Sequence, residues 1–513
     1  MKIFLIGLDS QEVALELKKR GAVIMYWVCK KKCYQEASRD KVNFPETVFH
    51  HTFDAMKNLP TEQLSKNRLP LPAAEIFKQL AGCQTQVLDM MTRVDLDDLS
   101  FFEKRDFYHD YIIYWYGVLK NFSPDAILFK DIPHGGFNFV IYNLAKVMNI
   151  KTIIYKRTKG IIGGLSFFTD YHEYGRLKEE YSKIPDKEAR LDNLSISMRN
   201  FYKKETAEEA DFAAAHIKET YIHTGAKDKY HKMLPAFRDI MKNLRSGTFL
   251  KTTVNYLWLI FHRTRVCSLR TQYFYGWQLK MIGYKCNKLK NKYRKEYEAL
   301  QSNPDFSRNY IFAPLHLQPE CTTNPMGDEF DNQILMLETL ADSLPENWVI
   351  YVKENPMQWK FPQGHTGRYS GYYNRLKKIK NVFLIPVKVS TSKMILNSKA
   401  VATITGTAAW EAVLKSKPAL IFGHVWFMDC EGMFKISGPE SCKLAMREIE
   451  NGYKPDQQKV IKFLVAFERV MIRGFSNKGG KLLSGISVEE NVKNIADAFW
   501  QELNSENYAS EKN

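Results

Sequence analysis

Short, almost unbroken apolar runs alternate with amphipathic stretches near both ends of this 513-residue chain. "KIFLIGL" is followed by "SQEVALELKKRG" and "AVIMYWVC", a pattern that predicts strand, helix, strand and opens a parallel α/β unit. Helical segments then dominate up to about residue 120. "SPDAILFKD", entered through a proline-marked turn, predicts a strand ending at Asp131. "IPHGG", the one-faced helix "FNFVIYNLAKVMN" and the strand "KTIIYK" complete a second βαβ unit.

A polar, charged and mostly helical region runs from roughly 176 to 300, and a new alternation begins at "NYIFAPL". It continues through "DNQILMLETLADSLP", "WVIYVKE", "YYNRLKKIK", "VFLIP", "STSKMILNSK", "AVATITG", "TAAWEAVLKSK" and "PALIFG". Strands alternating with helices at this spacing predict a doubly wound parallel sheet. The expected fold class is therefore α/β, with two Rossmann-like doubly wound domains facing a cleft and a helical insertion between them. The expected divisions are an N-terminal domain over 1–225, an insertion over 226–304, a C-terminal domain over 305–475, and a helix and polar tail over 476–513. In such tandem sheets the carboxyl ends of both sets of strands face the cleft, where ligands bind.

Charge changes this picture in one place. Hydrophobic residues make up 45% and charged residues 26%, ordinary for a globular protein, but Lys and Arg outnumber Asp and Glu by 74 to 57, a net charge of +17. Thirteen Lys and Arg and no acid fall between Met241 and Lys295, interleaved with Tyr256, Trp258, Phe261, Tyr273, Phe274, Tyr275 and Trp277. That window suits an anionic partner, and its aromatics favour a membrane–water interface. Its longest apolar stretch, "VNYLWLIF", is far short of a membrane span, and "MKIFLIGLDS" reads as a strand rather than a signal peptide. Eight cysteines form no framework, and Cys29 and Cys33 lack partners at metal-site spacing, so a reduced cytoplasmic interior is expected.

Candidate chemistry collects at strand ends. In "TITGTAAWEA", Gly406 turns the chain, Thr407 is placed to cap the next helix, and Glu411 lies one turn further, within reach of a ribose. A helix N-terminus entered through glycine suits phosphate; its bland alternative is a well-capped helix with a solvated glutamate. "VKENP" brings Lys353 and Asn355 to the same edge, and "LHLQPECTT" brings His316, Gln318 and Glu320. Three polar strand ends on one edge are less readily explained by chance than any one of them. "DIPHGG" is the counterpart in the first domain, where Asp131 and His134 flank a turn and are acid/base or nucleophile candidates together with Glu320. No DxD-like pair appears at the polar strand ends of the C-terminal half, and no HxxxH or Cys/His cluster reads as a metal site, so no metal is expected.

"PLHLQPECTTNP", "YVKENP", "TITGTAAWEA", "LIFG" and "DIPHGGFNFVIYNLAK" together resemble the bacterial capsular polysaccharide biosynthesis proteins, which include the Kdo transferases of capsule export. The resemblance is best over 308–434, with 124–155 in support. It implies a GT-B glycosyltransferase whose C-terminal domain binds a nucleotide sugar through His316, Gln318, Lys353, Asn355, Gly406, Thr407 and Glu411. No cofactor is implied beyond that co-substrate. The acceptor, a surface polysaccharide or glycolipid, would lie on the N-terminal side. Related CMP-sugar transferases have His-Pro where this chain has Asn355-Pro356, so the donor is CMP-Kdo, a related CMP-sugar or a different nucleotide sugar. The expected setting is cytoplasmic, held against the inner face of an anionic membrane by the basic window, with no nucleic acid bound. Three other functions stand beside it: a nucleic-acid-binding protein using that window, a non-catalytic assembly protein with a degenerate fold, and a nucleotide-sugar epimerase of the same architecture.

Overall fold

A computed structural model describes residues 1–64, 69–158, 164–207, 258, 260–476 and 485–505. The first lobe is built on β1 (Lys2–Ile6), β2 (Val23–Cys29), β3 (Val48–His51), β4 (Ala126–Lys130), β5 (Lys151–Arg157) and β6 (Gly164–Phe168). The order across the sheet is β6-β5-β4-β1-β2-β3; β1 to β5 run parallel and β6 is antiparallel to β5. Strands covered by helices on both faces need no polar side, which is why "IFLI" and "AILF" are buried throughout.

Between the lobes, β7 (Arg263–Arg265) and β8 (Tyr273–Tyr275) form an antiparallel ribbon that leads into the helix Gly276–Leu300. Trp277, Met281 and Tyr284 are exposed at helical spacing on that helix, and Trp258 and Phe261 are exposed just before the ribbon. Residues 241–257 and 259 of the acid-free window lie outside the described residues. Tyr293 and Tyr297 anchor the far end of the helix in the core of the second lobe.

The second lobe contains β9 (Tyr310–Pro314), β10 (Val349–Lys353), β11 (Val382–Leu384), β12 (Ala400–Thr403), β13 (Ala419–Ile421) and β14 (Met433–Lys435). Their order, β11-β10-β9-β12-β13-β14, is parallel throughout and reverses between β9 and β12. The first sheet reverses in the same way between β1 and β4. Both lobes are thus doubly wound, each with its binding crevice at a strand-order reversal.

The chain then returns. The helix Gln457–Val470 packs on Gly175–Lys183 of the first lobe, with Phe463 against Tyr181 and Arg469 between Glu180 and Glu188. β15 (Ile472–Arg473) adds to β6, and the helix Val488–Asn504 lies along Gln11–Lys19, where Arg20 pairs with Asp497 at 2.7 Å. One apolar cluster runs through this return, joining Trp410, Trp426 and Phe463 to the first lobe. Among the described residues, no helix is long and apolar enough to cross a membrane.

Candidate functional site

The carboxyl ends of the two sheets face each other across two adjoining cavities. One, of about 170 Å³, is walled by Asn355, Thr405, Gly406 and Thr407 of the second lobe and by Lys156 and Arg157 of the first. The other, of about 580 Å³, holds Asp131 and His134 on the first-lobe side. Lys156, Arg157, Glu320 and Thr322 border both.

The turn after β12 is set by three polar groups. Thr403 Oγ1 accepts from the Gly406 amide at 3.2 Å and lies 2.9 Å from His316 Nε2, which also accepts from the Thr405 amide at 3.2 Å. An acceptor role at Nε2 puts the proton of the neutral ring on Nδ1. A Cβ at Gly406 would sit 2.6 Å from Thr403 Oγ1, so only glycine fits this closely held turn. Gly406, rather than Thr407, occupies the N-cap, and no side chain caps the helix Thr407–Leu414. This corrects the expected capping role of Thr407. The first amides of that helix have no capping side chain beside the smaller cavity, where an anion is favoured by the helix dipole.

Of the expected donor-side residues, His316, Asn355, Gly406 and Thr407 reach the cleft together. His316 does so as the group that holds the turn. Asn355 spends its Oδ1 on the Met357 amide at 2.9 Å. Gln318, Lys353 and Glu411 line neither cavity. The Gln318 carboxamide is bonded inward to the Asp331 carbonyl, Gln333 and Arg368. Lys353 Nζ donates to the Val389 carbonyl at 2.9 Å and to Thr391 Oγ1 at 2.6 Å, fastening the next loop. Glu411 is 3% exposed, within the buried face of its helix. Polar residues near a strand end are needed inside the lobe as well as at its mouth, and the sequence does not distinguish the two.

Behind this edge lies a pair that the strand-end pattern did not suggest. Glu354 and Arg368 are wholly buried and doubly bonded, Nε to Oε2 at 2.8 Å and NH2 to Oε1 at 2.9 Å. Arg368 also donates to the His316 carbonyl, and Tyr373 to Glu354, so the pair fixes the loop that carries His316.

On the other side of the cleft, β4 ends at Lys130, and Asp131 follows in the left-handed region at φ 73°. Its Oδ1 accepts from the Ile132 amide at 2.8 Å and lies 3.6 Å from Lys156 Nζ; the side chain is half exposed. His134 donates through Nδ1 to the Ile132 carbonyl at 2.5 Å, and its ring meets Cys321 of the second lobe. Burial opposes protonation of His134, but Cys321 and Asp131 outweigh it and raise the imidazole above its usual range. Burial likewise opposes ionisation of Cys321, yet Lys156 and His134 bring the thiol down. Cys321 and Lys156 are therefore members of the site that sequence reasoning passed over; only their positions after β9 and at the end of β5 pointed to them.

A second cluster spans the seam between the lobes. His172 follows β6, Asp328 follows the β9 loop and His424 follows β13, and the three meet. Burial opposes charge on His172, but hydrogen bonds to Asp170 and Asp328 push it up to about 9.

Fold and cleft together define a class, the two-lobed, doubly wound α/β proteins of the GT-B type. Residues 225–454 match the family described as capsule polysaccharide biosynthesis protein. This is the family that the strand-end motifs resemble, and the match takes in every one of those motifs in the second lobe. No curated protein matches the chain. Among solved structures, the UDP-GlcNAc 2-epimerase of Methanocaldococcus jannaschii is similar at 12% identity and a TM-score of 0.25, over 92% of this chain and 99% of that one. The beta Kdo 2,7 transferase of Thermosulfurimonas dismutans KpsC is similar at 11% identity and 0.29, over 78% and 91%. Its beta Kdo 2,4 transferase is similar at 9% identity and 0.30, over 73% and 87%.

Proposed function

We propose that this protein is a glycosyltransferase that passes a sugar from a nucleotide-activated donor to a surface polysaccharide or glycolipid acceptor. The observation that carries this reading is the helix N-terminus at Gly406–Thr407, without a capping side chain, opposite Lys156 and Arg157 of the other lobe. Amides and cations converging on one small cavity suit a leaving phosphate, and they act hardest where water is excluded. They supply the charge stabilisation without a metal at the phosphates. The nucleotide then occupies the second lobe, its sugar reaches the border at Glu320, and the acceptor lies in the larger cavity beside Asp131. Asp131 is the half-exposed carboxylate of the first lobe there, positioned by Lys156 and the Ile132 amide. It serves as general base toward the acceptor hydroxyl or as nucleophile toward the anomeric carbon, with His134 beside it as a proton carrier.

CMP-Kdo or a related CMP-sugar is the first donor to test, and Asn355 makes UDP- and GDP-sugars the necessary comparison. The setting we propose is the inner face of an anionic membrane, because Trp277, Met281 and Tyr284 are exposed beside Lys285 and Lys288 on one helix. Thermal shifts with CMP, UDP, GDP and their sugars test the donor. A nucleotide at one hundred times its dissociation constant stabilises by about 2.7 kcal/mol. Lys156→Ala should reduce that shift; no shift with any nucleotide sugar would remove the proposal.

A further inference from the structure

We propose that His172, Asp328 and His424 form a site for one divalent transition-metal ion of the zinc class, which ties the two lobes together beside the smaller cavity. Three observations carry this. The first is convergence. His424 Nε2 lies 2.8 Å and His172 Nε2 3.3 Å from the same oxygen, Asp328 Oδ2, and all three ligand atoms fall within 4.8 Å of one another. Bonds of about 2.0–2.2 Å in a tetrahedral zinc site set neighbouring ligand atoms roughly 3.3 Å apart, so small rotations of these side chains suffice.

The second is the support behind the ligands. His172 Nδ1 faces Asp170 Oδ1 at 2.6 Å, and Asp170 is itself held by Lys146 at 3.0 Å and by the His172 amide at 3.0 Å. A carboxylate that accepts a hydrogen bond from Nδ1–H leaves Nε2 to face the ion once the ion displaces its proton, the arrangement that metal-binding histidines usually show. Asp328 has its other oxygen, Oδ1, 3.4 Å from the Tyr171 hydroxyl, which leaves Oδ2 as the ligand atom. The His424 amide donates to the Met326 carbonyl at 2.8 Å, pinning that loop beside Asp328.

The third is the donor set and its access. Two imidazoles and one carboxylate favour zinc, cobalt, nickel or iron over magnesium and calcium, which prefer oxygen throughout. The three side chains are 25–40% exposed, so an ion can enter and a water can take a fourth position. His172 belongs to the first lobe and the other two to the second. Met326, Val425 and Trp426, neighbours of those ligands, line the smaller cavity. An ion here would therefore favour one relation of the lobes at the cavity wall, a structural role distinct from the leaving-phosphate chemistry proposed above.

The test uses the full chain stripped with a chelator and titrated with Zn²⁺ by calorimetry and with Co²⁺ by visible absorption. One equivalent should bind, with the cobalt spectrum of a low-coordinate imidazole–carboxylate site. His172→Ala and His424→Ala should each weaken binding at least tenfold. Asp170→Asn, which touches no ion, should weaken it roughly tenfold to a hundredfold. His262→Ala, an exposed histidine elsewhere, should change nothing. Absence of a saturable equivalent would overturn the site, as would an equivalent retained in the His172→Ala/His424→Ala double variant. Should an alanine variant not fold, His424→Gln answers the same question, because the amide replaces the ring without its basic nitrogen.

Discussion

Replacing Arg368 by Met removes one charge from a place that water does not reach. Both side chains of the Glu354–Arg368 pair are 0% exposed, so neither partner can turn to solvent when the other is lost. In Arg368→Met the Glu354 carboxylate keeps, among the described residues, the Tyr373 hydroxyl at 2.5 Å and the Asn355 amide at 2.7 Å. The bonds from Arg368 to Gln318 Oε1 at 2.9 Å and to the His316 carbonyl at 3.2 Å also disappear. Breaking a buried pair in this way costs about 3–5 kcal/mol. Glu354→Gln strands the guanidinium instead, which cannot shed its proton, and should cost a similar amount. The double variant strands neither charge. It should be no less stable than either single variant, a coupling of at least about 3 kcal/mol, at or above the top of the usual range for residues in contact.

Two lobes sharing an apolar seam need not unfold in one step, so the measurement should be local. Hydrogen exchange at the slowest amides of β9 and β10, read by mass spectrometry, reports the opening free energy of the second lobe. Urea melts of the same three variants supply the comparison. Strictly additive single variants, or single costs below about 1 kcal/mol, would show a pair reached by water and behaving as surface ion pairs do. The account of how the His316 loop is held would then fail.

Three further outcomes are expected. His50 is buried against Tyr26 and the Leu59 carbonyl, and burial pulls it down to about 4 from the ordinary 6.5. It is neutral in the fold, so its contribution is complete above about pH 6.5 and is lost as pH falls toward 4, roughly 3 kcal/mol in all; a His50→Gln variant that melts with the same acid slope as the parent would contradict this. Asp131→Asn should abolish most sugar transfer while leaving nucleotide-induced thermal shifts intact, and near-normal turnover would pass the role to Glu320. The chain should sediment with anionic vesicles at low salt, be released by high salt and ignore neutral vesicles; equal recovery in the supernatant with and without anionic lipid would leave the exposed aromatics of Gly276–Leu300 as a solvated face.

Both doubly wound sheets are written in the chain, because parallel strands buried on two faces appear as plain apolar runs between glycine and proline signals. β3 is not: its four residues, "VFHH", owe their place to the partner strand β2 rather than to any apolar run. β6 and β15 are antiparallel additions at one edge, and β15 is too short to carry a period of its own. At the site, the sequence placed polar groups along the right edges but not their directions. Lys353 and Asn355 are two residues apart, yet one fastens a loop and the other faces the cavity. The pairs that cross between lobes or loops, Glu354 with Arg368 and His134 with Cys321, have no local signature, because only the finished fold brings them together.

The size of the cleft bears on how a donor would enter it. Ligand sites usually offer roughly 300–1,000 Å³, whereas the cavity at Gly406 measures about 170 Å³. The neighbouring cavity, about 580 Å³, shares Lys156, Arg157, Glu320 and Thr322 with it. A nucleotide sugar bound as proposed would span that border, and any parting of the lobes to admit it must break contacts across the cleft. The His172–Asp328 contact would be held by the ion proposed above, whereas the Arg93 contact to the Asn324 carbonyl can exchange for water. The apolar contacts of Trp426 with Phe463 and Phe467 of the returning helix cannot, because exposing those rings sacrifices burial that water does not replace. Any parting of the lobes would therefore cost least near Arg93 and most along the returning helix.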